Sequence, residues 1–409
     1  MKCYRMLVIG CWLLAMCISA VAQRVMVSGH VSDERTGAPI AQASVTAEGT
    51  GVAVVTNDDG FFSLKADTVV GSLRVSHLGY QSRRVRLKEP SGRLSIRLSP
   101  TAIQLKEVVV WTGNPRELMN IAISKIPENY SRQPELYNCF YRETAMKRQH
   151  FIYVAEGVVD MFKTPYSRGS IARDRVAIRK GRRLLSPKRS DTLGIKVLGG
   201  PVQPIQLDLV KNTDFLLNRE ELEHYKFTME EPKTINDRPQ YVVSIAPYDV
   251  LEYALFHGKF YIDRETLAFT RAELSLDMDN REKATAFMLV RKPFGVRFKP
   301  KELSCLVDYR YEDGVTRISY IRNTFRFNCD WKRRLLSTSF TAFCEMVVTD
   351  KGLQETRPIA GRNSFDSRDA FYDKVDYFLD PNFWEDYNII EPTVTLDRAI
   401  GKILKKLER

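Results

Sequence analysis

Between Arg24 and Leu98 the chain is a string of short apolar runs cut by turn residues, the spacing of small antiparallel strands. Val25, Val27 and Val31 are two or four positions apart, and the turn Glu34-Arg35-Thr36-Gly37-Ala38-Pro39 follows them. A second strand spans Ala43 to Ala47, the polar turn Thr56 to Gly60 precedes a strand from Phe61 to Leu64, and Ser72 to His77 leads into Leu78-Gly79-Tyr80. Strands this short and turns this dense predict a small sandwich. Asn57 to Gly60 has the look of a calcium loop, but no suitably spaced carboxylate completes it, so it reads as a hairpin turn.

The remainder is also rich in strands. Asn114, Pro115 and Glu117 form an N-cap signal for a helix. Its apolar face is expected to hold Leu118, Ile121, Ala122 and Ile126, and Pro127 is expected to stop it. Phe140 to Glu143 opens a strand with Phe151 to Met161 as hairpin partner. Tyr225 to Glu230 and Tyr241 to Ala246 flank the turn Asn236-Asp237-Arg238. Phe260 to Asp263, Ala268 to Leu276, Leu303 to Tyr311, Thr316 to Phe327 and Leu336 to Val348 continue a meander. Leu396, Ile400, Ile403, Leu404 and Leu407 form the apolar stripe of a C-terminal helix. The expected class is mainly β with an α+β C-terminal part: a β-sandwich, then a curved antiparallel sheet with flanking helices. At 409 residues two or three domains are expected.

Lys2 and Arg5, the apolar run Met6 to Ile18 and the small-x-small triplet Ala20-Val21-Ala22 read as a signal peptide over residues 1–22. Lipidation at Cys17 is the competing reading, which the bulky Met16 beside it suits poorly. An exported protein of the periplasm or outer membrane follows, and no later apolar stretch approaches the roughly 20 residues of a spanning helix. Removing residues 1–22, which hold no acid, leaves +10 of the formal +12 charge. Gly169 to Ser190 carries much of it, with Arg173, Arg175, Arg179, Lys180, Arg182, Arg183, Lys188 and Arg189 against Asp174 alone. Export turns that charge away from nucleic acid and toward an anionic glycolipid or glycan, or an envelope protein, with peripheral membrane contact. The eight cations are candidate anion-binding residues; a solvated loop, or a strand neutralised by acids elsewhere in the chain, is the alternative.

No catalytic residue, metal ligand or cofactor site announces itself. Cys139, Cys305, Cys329 and Cys344 form no CxxC pair; up to two disulfides and buried free thiols both stand. There is no HExxH, GxSxG, GxGxxG or Walker loop, and the five histidines lie too far apart for a local metal motif. Asp277 to Glu282 lacks the glycine of a calcium loop and reads as a solvated turn.

Gly29-His30-Val31-Ser32-Asp33, Thr36-Gly37-Ala38-Pro39-Ile40, Ala43-Ser44-Val45, Asp59-Gly60-Phe61-Phe62 and Leu78-Gly79-Tyr80 follow one order. Together they resemble the carboxypeptidase-regulatory-like domain, which implies a transthyretin-like seven-stranded sandwich without catalytic residues. That domain often precedes TonB-dependent outer-membrane receptors, and Leu105 to Val110 resembles the segment after it. Fewer than 300 residues remain, too few for a plug and large barrel. Gly258 to Asp263 resembles a strand-turn signature of periplasmic lipoprotein carriers, whose half-barrel cradles acyl chains. Phe140-Tyr141-Arg142-Glu143 and Phe383-Trp384-Glu385-Asp386-Tyr387-Asn388 are similar to motifs in a group of exported proteins carrying the same sandwich, which implies architecture and envelope location but no reaction. The expected organisation is signal peptide 1–22, sandwich 23–100, linker 101–113 and a sheet domain 114–409. The expected function is non-enzymatic envelope binding or scaffolding, with a lipid or glycan ligand; the alternative is an envelope hydrolase acting on glycan or peptide.

Overall fold

The alternating valines of the first segment build the centre of a sheet. In the computed structural model, β1 (Val25–Asp33) lies between β4 (Phe61–Ala66), antiparallel to it, and β7 (Ser91–Leu98), parallel to it. A second sheet holds β2 (Ser44–Ala47), β3 (Ala53–Val55), β5 (Ser72–Ser76) and β6 (Arg83–Arg86) in the order β3-β2-β5-β6. Their inward faces enclose Val27, Val31, Val45, Phe62, Leu64 and Leu73, which makes a seven-stranded sandwich. The structure describes residues 25–407 except 69, 90, 102–110, 189–195, 198, 333–335, 352–355, 378–382 and 385–386. The predicted signal peptide, Cys17, the Leu105–Val110 tail and Arg189 lie outside the described residues.

Turn chemistry explains the sandwich motifs. Asp33 Oδ1 accepts the amides of Thr36 (2.7 Å) and Arg35 (2.8 Å), and its Oδ2 accepts the Tyr80 hydroxyl at 2.8 Å. These bonds favour the charged carboxyl and hold it below its usual pKa, with the Thr36 amide contributing most. Asp33, Thr36 and the distant Tyr80, from three of the motifs, are thus one turn clamp.

The second part is an eleven-stranded sheet. Its strands are β8 (Glu135–Lys147), β9 (His150–Lys163), β10 (Arg175–Leu185), β12 (Tyr225–Ile235), β13 (Arg238–Pro247), β14 (Phe256–Asp263) and β15 (Phe269–Leu276). The long β17 (Val296–Glu312), β18 (Val315–Trp331) and β19 (Thr338–Lys351) join them, with the short β20 (Asp376–Tyr377) at one edge. The order is β12-β13-β14-β15-β17-β18-β19-β8-β9-β10-β20, antiparallel throughout except at β10–β20. A separate two-stranded ladder joins β11 (Lys196–Val197) and β16 (Leu289–Arg291). Asn236 and Asp237, both at positive φ (53° and 62°), make the two-residue β12–β13 turn whose twist suits a hairpin. β17 begins well before the expected Leu303 because Pro300 falls at a bulge, where its missing N–H is tolerated.

Three local expectations change. The helix Pro115–Ser124 is capped by Asn114 as expected but buries Met119 beside Leu118 and Ala122, leaving Ile121 half-buried. Pro127 does not stop it: the chain leaves the helix at Lys125, and Pro127 sits in the first turn of Ile126–Asn129, where no N–H bond is needed. Asp277 to Glu282 is not only a turn, since the Asn280 side chain accepts the Glu282 and Lys283 amides and starts the helix Arg281–Met288.

Residues opposed across strands share a face. One face, here called inner, carries Val307, Ile321, Met346 and Tyr141 in register, and beside them Cys305, Asn323, Cys344 and Glu143. The outer face carries Tyr320, Val347, Phe140 and Val158, which pack with Val55 of the sandwich and with Trp384, Ile389 and Ile390. Gly157 and Gly181 are opposed where a Cβ would come within 2.7 Å of Phe371 and 2.4 Å of Val375, so only glycines let that segment lie against the sheet.

Candidate functional site

A cavity of about 310 Å³ lies against the inner face. Leu303 and Cys305 of β17 and Asn323 of β18 form its floor. Phe215, Phe256 and Phe287 form an aromatic wall, with ring centroids 5.2 Å apart for the first pair and 5.4 Å for the second. The roof is the segment from Gln203 to Asn212, fastened by Asn212 Nδ2 to Gln206 O (2.7 Å) and by the Val210 amide to the Tyr309 hydroxyl (3.3 Å). Asn323 Nδ2 donates to Gln203 Oε1 at 3.0 Å, joining floor to roof.

The same roof is held by buried ions. Lys163 Nζ lies 2.7 Å from Asp208 Oδ2 and 3.2 Å from Asp174 Oδ2. Lys211 Nζ lies 2.9 Å from Asp174 Oδ1 and donates to Thr164 Oγ1 at 2.8 Å. Tyr166 and Tyr309 donate to the two oxygens of Asp208 at 2.7 and 2.9 Å. Two cations and two anions with at most 1% side-chain exposure thus tie the roof residues Asp208 and Lys211 to β9 and the Asp174 turn. Burial and the neighbouring Lys163 charge lower the Lys211 pKa from 10.5 to about 8. For Lys163, burial acts in the same direction, but Asp208 and Asp174 outweigh it and raise the value.

The outer face gathers the two sequence motifs. Glu156, 2% exposed, receives Arg142 Nε at 2.8 Å, Arg182 Nε at 3.0 Å and Trp384 Nε1 at 3.2 Å. Phe140 meets Trp384 edge to face at 5.6 Å, and Arg142 also donates to Ile390 O. Asn388 reads the β4 main chain both ways, accepting the Lys65 amide at 2.7 Å and donating to Lys65 O at 2.8 Å. The turn Asn57 to Gly60 is a docking contact: Asp58 pairs with Arg322 at 2.7 Å and Asp59 accepts the Val394 amide at 2.7 Å. That amide opens the C-terminal helix Val394–Leu407, whose Leu396, Ile400 and Ile403 pack on Val154 and Leu184.

Of the eight predicted anion-binding cations, the seven among the described residues are not brought together. Arg182 is buried on Glu156, Lys180 donates to Phe383 O (2.8 Å) beneath the Phe383 ring, and Arg179 binds Asp160 at 2.6 Å. Arg183 donates to Tyr372 O, and Arg175 to the carbonyls of Ala172 and Asp174. Arg173 and Lys188 are exposed. Half of the segment is strand β10, whose charges largely meet this chain's own acids and carbonyls.

Cys139, Cys305, Cys329 and Cys344, the four cysteines among the described residues, are free and buried. Burial raises the Cys305 and Cys329 thiols to about 12 and pushes Cys139 and Cys344 further up, which removes the thiolate that redox or nucleophilic chemistry needs. Among the described residues no group of three or more His, Cys, Asp and Glu side chains is placed to hold a metal ion, and no helix is long and apolar enough to cross a membrane.

Residues 27–110 match the family model of the CarboxypepD_reg-like domain, the family that the ordered motifs of the sandwich resemble. No curated protein matches the chain in sequence. Among solved structures, a DUF1329 family protein from Desulfovibrio piger is 10% identical, with a TM-score of 0.25, over 62% of this chain and 100% of its own. A putative outer membrane lipoprotein-sorting protein domain from Vibrio parahaemolyticus is 11% identical, with a TM-score of 0.24, over 59% of this chain and 96% of its own. A LolA superfamily protein from Nitrosomonas europaea is 13% identical, with a TM-score of 0.19, over 62% of this chain and 99% of its own.

Proposed function

We propose that this is an exported, non-enzymatic binding protein of the cell envelope that holds an apolar, lipid-type ligand between the inner face of its large sheet and the 203–212 roof. The observation that carries this reading is the cavity of about 310 Å³ walled by Phe215, Phe256 and Phe287. Ligand sites run from roughly 300 to 1,000 Å³ and are mostly apolar with few polar groups. A dry apolar cavity of roughly 150 Å³ already takes up benzene. The buried ions support binding over catalysis, because they pair with one another and do not line the cavity. The strand that resembles a lipoprotein-carrier signature is β14, which contributes Phe256 to the wall.

The test is to identify by mass spectrometry what copurifies with the full chain from an envelope fraction, and to measure displacement of a fluorescent fatty acid. Cys305→Phe fills the floor. We expect at least a tenfold weaker probe affinity with a retained unfolding transition; unchanged affinity would count against the cavity as the site.

A second observation supports envelope contact. In the turn before β17, Phe294 is 98% exposed with the Lys332 ammonium 5.3 Å from its ring. Arg291, Lys292 and Arg297 are exposed around it, and so are Val290 and Leu336. An aromatic tip ringed by cations suits the boundary of an anionic bilayer, where each cation contributes roughly 1 kcal/mol. We place the anionic partner here, since most cations of residues 169–190 are engaged within the chain. A Lys292→Gln, Phe294→Ser, Lys332→Gln variant should bind anionic vesicles more than tenfold more weakly than wild type, with neither protein binding zwitterionic vesicles. Equal flotation of both proteins with anionic vesicles would remove this turn as the contact.

A further inference from the structure

A second cavity, of about 430 Å³, lies on the opposite face of the large sheet, where the outer face meets the sandwich. Elsewhere that joint is apolar, with Val55 packed on Phe140, Val158 and Val347. Here it opens and turns polar. Asp350 of β19 opposes Asn138 of β8, which opposes Asp160 of β9, so three polar side chains stand in one row. Asn138 donates to Asp350 and accepts Arg179 Nη2 at 3.2 Å, and Arg179 also holds Asp160. Thr349 and Arg179 are each the extra residue at a register shift, in the β19–β8 and β9–β10 ladders, and both line the cavity. Such bulges re-aim side chains and gather next to active sites. Val25, Met26 and Lys65 close the cavity from the sandwich, and Tyr387 and Asn388 stand at its side.

The lining carries two cations, Lys65 and Arg179, and two anions, Asp67 and Asp350, so it has no formal net charge. Both cations are engaged: Lys65 Nζ donates to the carbonyls of Trp384 (2.7 Å) and Tyr387 (3.1 Å), and Arg179 to Asp160 and Asn138. The acids are within reach of solvent, Asp67 exposed and Asp350 half-buried, and Tyr387 is half-buried beside them. Burial and then the Asp67 charge raise the Asp350 pKa, a strain that a hydrogen-bond donor on this carboxylate relieves. We propose that this cavity is a second binding site, independent of the fatty-acid cavity, and that it takes a neutral saccharide. Sugar hydroxyls donate to Asp350 and Asp67, and the apolar face of the sugar ring lies against Tyr387 and Met26. An acyl chain would desolvate both acids and replace none of their bonds with water. A charged ligand would meet both signs in the lining and gain little from either.

The test presents the full chain to an array of neutral, acidic and amine-bearing oligosaccharides and measures the retained members by calorimetry. Met26→Trp fills the cavity from a side chain that is 53% exposed, so folding tolerates it, and Asp350→Ala removes the acceptor. We expect wild type to retain neutral members, and both variants to bind them at least tenfold more weakly, about the worth of one hydrogen bond to a charged group. Both variants should keep a cooperative unfolding transition and wild-type affinity for the fluorescent fatty acid, whose cavity lies across the sheet. Retention of no oligosaccharide, retention of charged members alone, or wild-type saccharide affinity in either variant would each overturn the proposal. None of these results bears on the lipid cavity, which the fatty-acid titration tests by itself.

Discussion

Glu156→Gln is expected to lower the unfolding free energy by about 3–5 kcal/mol, the usual cost of removing one partner from a buried ion group. The carboxylate is 2% exposed and answers two guanidinium groups and an indole N–H, so neutralising it leaves Arg142 and Arg182 buried with much less counter-charge. Glu345 Oε1, 3.5 Å from Arg142, only partly compensates. Burial alone would push the Glu156 pKa up, but Arg142 and Arg182 outweigh it and hold the carboxyl below its usual 4.5. An acid whose folded pKa is depressed adds stability above its unfolded value and loses it as pH falls through the folded value. The gap between wild type and variant should therefore be full at pH 7 and shrink once the pH drops below about 4.5. Urea unfolding at both ends of that range measures it, with Trp384 emission reporting whether the C-terminal segment detaches. A gap under about 1 kcal/mol at pH 7 would show that the segment does not depend on this carboxylate.

What could be read from the sequence was local. The turn Asp33–Thr36 and the cap Asn114–Glu117 depend on side chains two or three residues from the amides they satisfy, so their spacing alone reveals them. The Tyr80 partner of Asp33 is 47 residues away and is visible only as part of a family pattern. Phe140–Glu143 and Phe383–Asn388 stood out as motifs, yet nothing in either names the other. Their meeting through Phe140, Arg142 and Trp384 is a product of sheet order. The basic segment has the same limit: a charge count says nothing of Glu156 or Asp160 on the neighbouring strand. Phe215, Phe256 and Phe287 come from separate stretches and look like any core aromatics. The buried ions carried the faintest signal of all, because Lys163, Asp174, Asp208 and Lys211 are single charges in ordinary contexts.

Those ions set the second large effect. Lys163→Met is expected to cost about 3–5 kcal/mol, since it leaves Asp174 and Asp208 buried with Lys211 as the remaining cation of the cluster. Because Asp208 and Lys211 belong to the roof, the loss should also speed release of a bound fatty-acid probe by more than tenfold. Lys211 adds a pH signature. With a folded pKa of about 8 against 10.5 unfolded, it is already neutral in the folded protein over that interval while the unfolded chain still holds the proton. The unfolded state then binds more protons, so this group makes stability rise with pH, by up to about 1.4 kcal/mol per unit. Lys163, whose pKa is raised, contributes stability that is complete below 10.5 and fades only above it. Measured against Lys211→Met, wild type should gain stability steadily from pH 8 to 10.5 and show no such trend from pH 6 to 7.5. A flat difference across both ranges would mean that Lys211 keeps its proton in the folded state. Normal probe release from Lys163→Met would mean that the roof is held by its hydrogen bonds to Tyr309 and Asn323 and not by the ions.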